Sequence, residues 1–244
     1  MNDVFALVDE RISDKCLDSL KNYGFLPIKL PKIEGLPTPI ASHTDIITFN
    51  IHGKLFFSKS YFDAFFDVLS PLFSENIIVT PEVQGRKYPL DAIFNGLLIG
   101  DKLFCKCDTF SKEILAHAKK LGIKIISVKQ GYPACTALKI SENAAVTADR
   151  GMANALRGEG ISVLDIENGG IYLPPYEYGF IGGAGALYGD TVFFLGDISK
   201  HPYADKILSF IKENGKRAVS LSDEPLSDLG GIVFIEKYIQ HNCK

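Results

Sequence analysis

The 244-residue sequence predicts an α/β fold of five strand, strand, helix, strand units closed into a ring. Three observations predict it: a turn-and-strand signature that recurs at even spacing, a helix and a buried strand after each turn, and chain ends that each carry part of a unit. The signature reads Gly53-Lys-Leu-Phe-Phe, Gly100-Asp-Lys-Leu-Phe, Glu142-Asn-Ala-Ala-Val and Gly189-Asp-Thr-Val-Phe, a polar or glycine turn leading into an apolar run, as at the tip of a hairpin. The starts lie 47, 42 and 47 residues apart, a period typical of repeat architectures.

Val4 to Val8 opens the chain as a second strand with no first strand before it. A helix follows, N-capped by Ser13, stapled by Ile12 and Leu17, ended by Gly24, and turning Cys16, Leu17, Leu20 and Tyr23 to one face. Its partner strand is Phe25 to Leu30. The second unit has a shorter helix from Ser60 to Ser70 and a strand at Ile77 to Thr80. The third places Ile114, Leu115, Ala118 and Leu121 on the inner face of a helix from Thr109 to Gly122, before a strand from Ile123 to Val128. The fourth pairs a helix at Asp149 to Gly158 with a strand at Ile161 to Ile166. The fifth pairs a helix at Pro202 to Gly215, with Ile207, Leu208 and Ile211 inward, with a strand at Ala218 to Leu221. Leu229 to Glu236 then reads as a first strand without a partner. Pairing it with Val4 to Val8 completes a unit and removes two exposed sheet edges, so residues 1–244 are expected to form one domain. An ordinary mixed α/β sandwich with evenly spaced hairpins is the alternative.

Composition narrows the function. A net charge of −3 and a pI near 6.0, with scattered Lys and Arg, give no footprint for nucleic acid or an anionic membrane. The first apolar stretch is broken by Asp9, Glu10 and Arg11, no run reaches membrane-spanning length, and the five cysteines form no framework; a cytoplasmic protein is expected. No metal is expected. Cys105 and Cys107 face one side of a strand but lack a second ligand pair, His117 flanks a lysine-rich helix, His201 precedes Pro202, and His241 lies in the tail. No cofactor is expected either, because the glycine pairs at 182 to 185 and 230 to 231 do not make a dinucleotide fingerprint.

Two segments carry a resemblance. Ser42-His43-Thr44-Asp45, running on to Phe49 and Gly53, is similar to the His-x-Asp motif of the pentein, or α/β-propeller, superfamily of guanidino-group-modifying enzymes; Pro133-Ala134-Cys135-Thr136 resembles its nucleophile segment. The two are about 92 residues apart, similar to the family separation. In those enzymes the cysteine lies near the C-terminus, whereas two more units follow Cys135 here, so the chain resembles a permuted member. Its last unit has Gly230 and Gly231 but no cysteine.

The resemblance implies that the starts of the first strands converge on the ring axis, bringing together His43, Asp91, Cys135, Gly182, Gly183 and Asp228. It implies Cys135 as nucleophile, its thiolate favoured by a cationic substrate or by protonated His43. His43 would protonate the departing amine and activate water. Asp45, two residues on, would share a strand face with His43 and orient its ring. Asp91 or Asp228 would take a guanidinium bidentately, and Gly182 and Gly183 would leave room for the ligand. Each has a structural reading too: Cys135 as buried filler, His43 as a turn cap after Leu36-Pro-Thr-Pro39, the aspartates as caps. The implied function is a cysteine-dependent hydrolase or transferase acting on the guanidine or amidine of a small cationic metabolite. The alternative is a non-catalytic binding module, like the ribosome anti-association factors of that fold, or a metabolite sensor. Loops Pro81 to Pro89 and Ile171 to Phe180 would set specificity, and the stretch Tyr172 to Tyr178 is a lid or a packed loop.

Overall fold

The computed structural model describes residues 3–72 and 76–236, so His241 lies outside the described residues. In chain order the elements are β1 (Val4–Asp9), α1 (Asp14–Asn22), β2 (Phe25–Leu30), α2 (Thr44–Ile47), β3 (Thr48–Ile51), β4 (Lys54–Ser58), α3 (Lys59–Ala64), α4 (Phe66–Leu69) and β5 (Ile77–Thr80). They continue with β6 (Leu97–Ile99), β7 (Lys102–Cys105), α5 (Lys112–Lys120), β8 (Lys124–Ser127), α6 (Pro133–Thr136), β9 (Ala137–Ser141), β10 (Ala144–Thr147), α7 (Arg150–Gly158) and β11 (Ser162–Asp165). The last are β12 (Gly185–Tyr188), β13 (Thr191–Phe194), α8 (Ala204–Glu213), β14 (Arg217–Ser220) and β15 (Val233–Glu236).

The strands form five three-stranded sheets, each with an antiparallel first pair and a parallel second pair. Unit 1 is made from both ends of the chain: β15 pairs antiparallel with β1 from Val4 opposite Glu236 to Leu7 opposite Val233. Units 2 to 5 are β3-β4-β5, β6-β7-β8, β9-β10-β11 and β12-β13-β14. Three of the hairpin turns carry positive φ angles, with His52 at 49° and Gly53 at 82°, Gly100 at 58° and Gly189 at 60°, whereas the turn at Glu142 and Asn143 does without.

Each middle strand is buried on both faces, and its period of two sends alternate residues to different neighbours. In β1, Phe5 and Leu7 pack against Leu55 and Phe57 of unit 2, whereas Ala6 and Val8 pack with Phe193 and Leu195 of unit 5. Phe56 of β4 turns instead to Leu103 and Cys105 of unit 3, Phe104 of β7 to Ala145 of unit 4, and Val146 of β10 to Val192 and Phe194 of unit 5. The five resulting apolar clusters occupy the five junctions between adjacent units, so the ring closes through packing as well as through β15. A sandwich would instead gather these side chains between two layers.

The helices are capped as their sequences dictate. Ser13, Ser58, Ser111 and Asp149 accept from the backbone amides three residues on, and Gly24, Gly122, Gly160 and Gly215 end the long helices at positive φ. Two expectations change. Residues 60–70 are broken at Phe65 into α3 and α4, and Tyr23 and Leu121, placed inward by helical period, are 53% and 48% exposed. Both stand at the last turn, where the helix has already given way to its cap. Among the described residues no helix is long and apolar enough to cross a membrane.

Candidate active site

Short turns lead into the first strands and bring their residues to the axis. α2 precedes β3, α6 precedes β9, and 3-10 turns at Leu90–Ala92 and Gly182–Ala184 lie before β6 and β12. Before β15 the chain turns at Gly230 and Gly231, with φ of 70° and 71°. A β-carbon on Gly230 would sit 2.6 Å from the His43 Cβ and 2.8 Å from Asp45 Oδ1, so glycine there lets unit 1 close against unit 2. Thr44 Oγ1 fixes the same junction by donating to the Gly230 and Gly231 carbonyls.

Cys135 is buried in α6. Its thiol donates to Asp45 Oδ2 at 2.6 Å, and its sulfur accepts from Asn95 Nδ2 at 3.3 Å. Asn95 Oδ1 in turn accepts from the Ala134 amide at 2.9 Å, which ties the cysteine turn to unit 3. His43 is buried beside them. A ring nitrogen of His43, a carboxylate oxygen of Asp45 and the Cys135 sulfur all lie within 4.8 Å of one another. His43 Nδ1 is 3.8 Å from Asp228 Oδ1. Asp228 is itself held by the amides of Phe180, to Oδ2 at 2.8 Å, and Gly230, to Oδ1 at 3.2 Å.

Burial governs the protonation of this group. Loss of water pushes the Asp45 carboxyl up to about 8; the Cys135 bond opposes the shift, and the Asp228 charge adds to it. The Cys135 thiol is pushed well above its ordinary value, first by burial and then by the charges of Asp45 and Asp228. Burial also lowers the His43 pKa, against the pull of Asp228. At neutral pH the group therefore consists of a thiol, a neutral imidazole and a largely protonated Asp45. Both ring nitrogens of His43 and Asp45 Oδ1 are buried without a hydrogen-bond partner, capacity a ligand can use.

A cavity of about 450 Å³ opens over His43, Cys135 and Asp228. Tyr132, Tyr176, Tyr178 and Phe180 line it with Glu177, so the 172–180 segment forms one of its walls. On the other face of the ring a second hollow of about 390 Å³ reaches Asp45, Gly182 and Gly230. Asp45 lines this second hollow and meets the first only through its bond with Cys135.

The sequence expectations can be set against this geometry. His43, Cys135 and Asp228 come together at the cavity. Asp45 does not share a strand face with His43, because α2 begins at Thr44 and turns its carboxyl to the thiol; the carboxylate beside the imidazole is Asp228. Asp91 lies behind the wall and accepts from Tyr132 Oη at 2.8 Å, which leaves it buttressing a lining residue. Gly182 and Gly183 leave room for the chain itself: added β-carbons would fall 2.0 Å from the Ala134 carbonyl oxygen and 1.8 Å from Asp228 Oδ1. Asn95 was not expected at all. Its one signal is a polar residue inside Ile-Phe-Asn-Gly-Leu-Leu-Ile, two residues before its first strand, as Cys135 is before β9.

The three donors around Cys135, a nitrogen, an oxygen and a sulfur, form a group able to hold a metal ion among the described residues. Cys105 and Cys107 lie apart from it, with sulfurs 3.6 Å from each other.

The fold matches solved structures over nearly its whole length. DDAH from Pseudomonas aeruginosa, a cysteine-to-serine mutant complexed with citrulline, superposes with a TM-score of 0.59 at 10% identity, covering 97% of this chain and 100% of that one. The agmatine deiminase of C. jejuni gives 0.56 at 11% identity, covering 98% and 94%, and SxtG, an amidinotransferase from Microseira wollei, gives 0.54 at 13%, covering 84% and 72%. These are pentein structures, and the ring described above is a pentein fold. No curated protein sequence matches the chain. A family described as a family of unknown function, DUF6873, matches residues 7–233.

Proposed function

The chain belongs to the DUF6873 family of unknown function, and from its site we propose that it is a cysteine-dependent hydrolase or transferase of a guanidine or amidine group on a small cationic metabolite. The observation that carries this reading is the meeting of Cys135, His43 and Asp45 within 4.8 Å, with Cys135 and His43 lining a cavity that Asp228 also lines. The solved relatives named above are guanidino hydrolases and transferases by description, which supports the same class.

The resting thiol is a poor nucleophile, and the substrate supplies what is missing. A guanidinium about 4 Å from the sulfur contributes roughly 4 kcal/mol at an effective dielectric near 20, or about three pKa units toward the thiolate. It also draws Asp45 into its ionised form. Cys135 passes its proton to His43 as sulfur attacks the guanidine carbon. The imidazolium returns that proton to the departing amine as the carbon–nitrogen bond breaks, leaving a thiouronium on the sulfur. His43 then takes a proton from water, or from an acceptor amine in a transferase, as the new bond forms at carbon; the carbon–sulfur bond breaks, and the imidazolium returns a proton to the departing sulfur to regenerate the thiol. Asp228 holds the imidazole side of the site, and Asn95 steadies the sulfur.

The raised thiol pKa is also what a ligand-binding pocket without chemistry would show, and turnover separates the two readings. Purified protein is incubated with a panel of alkylguanidines and amidines, and the ureido or amide product and the released ammonia are measured. Turnover that is lost in both Cys135→Ser and His43→Ala supports the enzyme. Binding without turnover for every member of the panel makes the protein a sensor or binding module.

A further inference from the structure

Cys105 and Cys107 take no part in the cavity, yet they are placed to react with each other. Cys105 is the last residue of β7 and is buried; Lys106 leaves the strand, and Cys107 opens the following turn half-buried. Residues two apart on a strand share a face, and here the two sulfurs stand 3.6 Å apart, either able to donate its proton to the other. A disulfide spans about 2.05 Å, so roughly 1.5 Å of closure makes the bond. Burial holds the Cys105 thiol well above its ordinary value, and charge on Cys107 raises it further. Cys107 is therefore the sulfur that meets an oxidant from solvent, and Cys105 the one that resolves it.

The turn that holds the pair also holds the support of the cysteine at the axis. The carbonyl of Lys106, between the two cysteines, accepts from the Phe110 amide at 2.9 Å, and the next amide, of Ser111, donates to the Ile93 carbonyl at 2.8 Å. The Phe110 ring packs so closely on Gly96 that a β-carbon there would stand 2.9 Å from it. Asn95 lies between these two anchored positions, and its side chain holds both the Cys135 sulfur and the Ala134 amide. Drawing Cys107 to Cys105 reorients the Lys106 carbonyl, and with it the seat of Phe110 and Ser111, in a cluster too closely packed to absorb the shift. We propose that Cys105 and Cys107 are a reversible oxidation site, closed to a disulfide by a hydroperoxide, and that closing it loosens the hold of Asn95 on Cys135. Cys107 takes the terminal oxygen of the peroxide, the O–O bond breaks, and a sulfenic acid and one water (or alcohol) result. The Cys105 sulfur then attacks the Cys107 sulfur; the S–O bond breaks, and the leaving hydroxide takes the Cys105 proton and departs as water. A dithiol restores both thiols by exchange. None of this depends on which reaction Cys135 performs.

The test treats the reduced full-length chain with a small excess of hydrogen peroxide, maps disulfides by mass spectrometry of unreduced peptides, and then times the labelling of Cys135 by a neutral alkylating agent. The expected result is a peptide carrying both Cys105 and Cys107 that is lighter by two hydrogens. Cys135 labelling is expected to slow about tenfold, the size of one lost hydrogen bond to a charged sulfur, and dithiothreitol to reverse both changes. Cys107→Ser keeps the size of the side chain but cannot close the bond, so its Cys135 is expected to label at the reduced wild-type rate with or without peroxide. Cys105 and Cys107 staying reduced, or Cys107 passing to a sulfinic acid without bonding Cys105, overturns the proposal. A disulfide that leaves Cys135 labelling unchanged overturns it as well. So does a slowing that persists in Cys107→Ser, which is then direct oxidation of Cys135.

Discussion

Asp45→Asn gives a direct test of the buried carboxyl. The folded-state pKa of Asp45 is raised from 3.8 to about 8 by burial. Between those values the folded protein keeps a proton that the unfolded chain releases, so its stability is complete below the unfolded pKa and falls as pH rises. The slope is about 1.4 kcal/mol per pH unit. For 244 residues, an unfolding entropy of roughly 2.1 cal/mol/K per residue gives about 0.5 kcal/mol/K, so Tm falls by about 2.7 °C per unit from this group alone. An Asn side chain keeps an acceptor oxygen for the Cys135 thiol and cannot ionise. The assay is thermal unfolding of both proteins at pH 5, 6 and 7. His43, whose lowered pKa acts in the opposite direction, contributes to both and drops out of the difference. Tm of the variant is expected to gain about 5 °C on the wild type between pH 5 and 7. A difference that stays constant across this range would refute the buried, protonated Asp45.

Two further outcomes follow from the same geometry. Because burial raises the Cys135 thiol, a neutral alkylating agent is expected to label it slowly, with a midpoint above the ~8.5 of a free cysteine, whereas an amidinium-bearing electrophile of equal size labels it faster at neutral pH; mass spectrometry across pH measures both, and equal rates would remove the case for substrate-driven activation. Gly230→Ala places a methyl 2.6 Å from the His43 Cβ at a φ of 70°, so a loss of about 2–3 kcal/mol is expected in denaturant unfolding, together with slower labelling of Cys135 by the cationic reagent.

How much of this was legible in the sequence depends on whether the signal was local. The ring was legible because turn glycines such as Gly53 and Gly189, and helix stops such as Gly24 and Gly215, need a particular backbone conformation wherever they occur. The closure of β15 on β1 was legible because two half-units with exposed edges invite each other. His43 and Cys135 could be singled out by residue type, and the ring supplied the rest. Asp45 was read through strand periodicity, but four residues of helical turn intervene before β3, and that change of period moves its carboxyl from the imidazole to the thiol. The roles of Gly182 and Gly183 depended on what fills the space beside them, here the Ala134 carbonyl and Asp228, which no spacing reveals. Protonation states were beyond the sequence for the same reason, since burial dominates all three shifts.

The parentage of the site has a physical consequence. Asp228 belongs to unit 1, His43 and Asp45 to unit 2, Asn95 to unit 3, Cys135 to unit 4, and the glycines that admit Asp228 and the cysteine turn to unit 5. No single unit holds the cluster: unit 2 supplies His43 and Asp45 but neither the sulfur nor Asp228. The apolar junctions between units are therefore also the parts that set distances among these groups. A shift of a few tenths of an ångström at one junction alters a 2.6 Å thiol–carboxyl contact directly, because close-packed interfaces transmit displacement instead of absorbing it. The spacing of the axial groups thus depends on residues such as Phe57, Phe104 and Phe194, which do not line the cavity but pack adjacent units against each other.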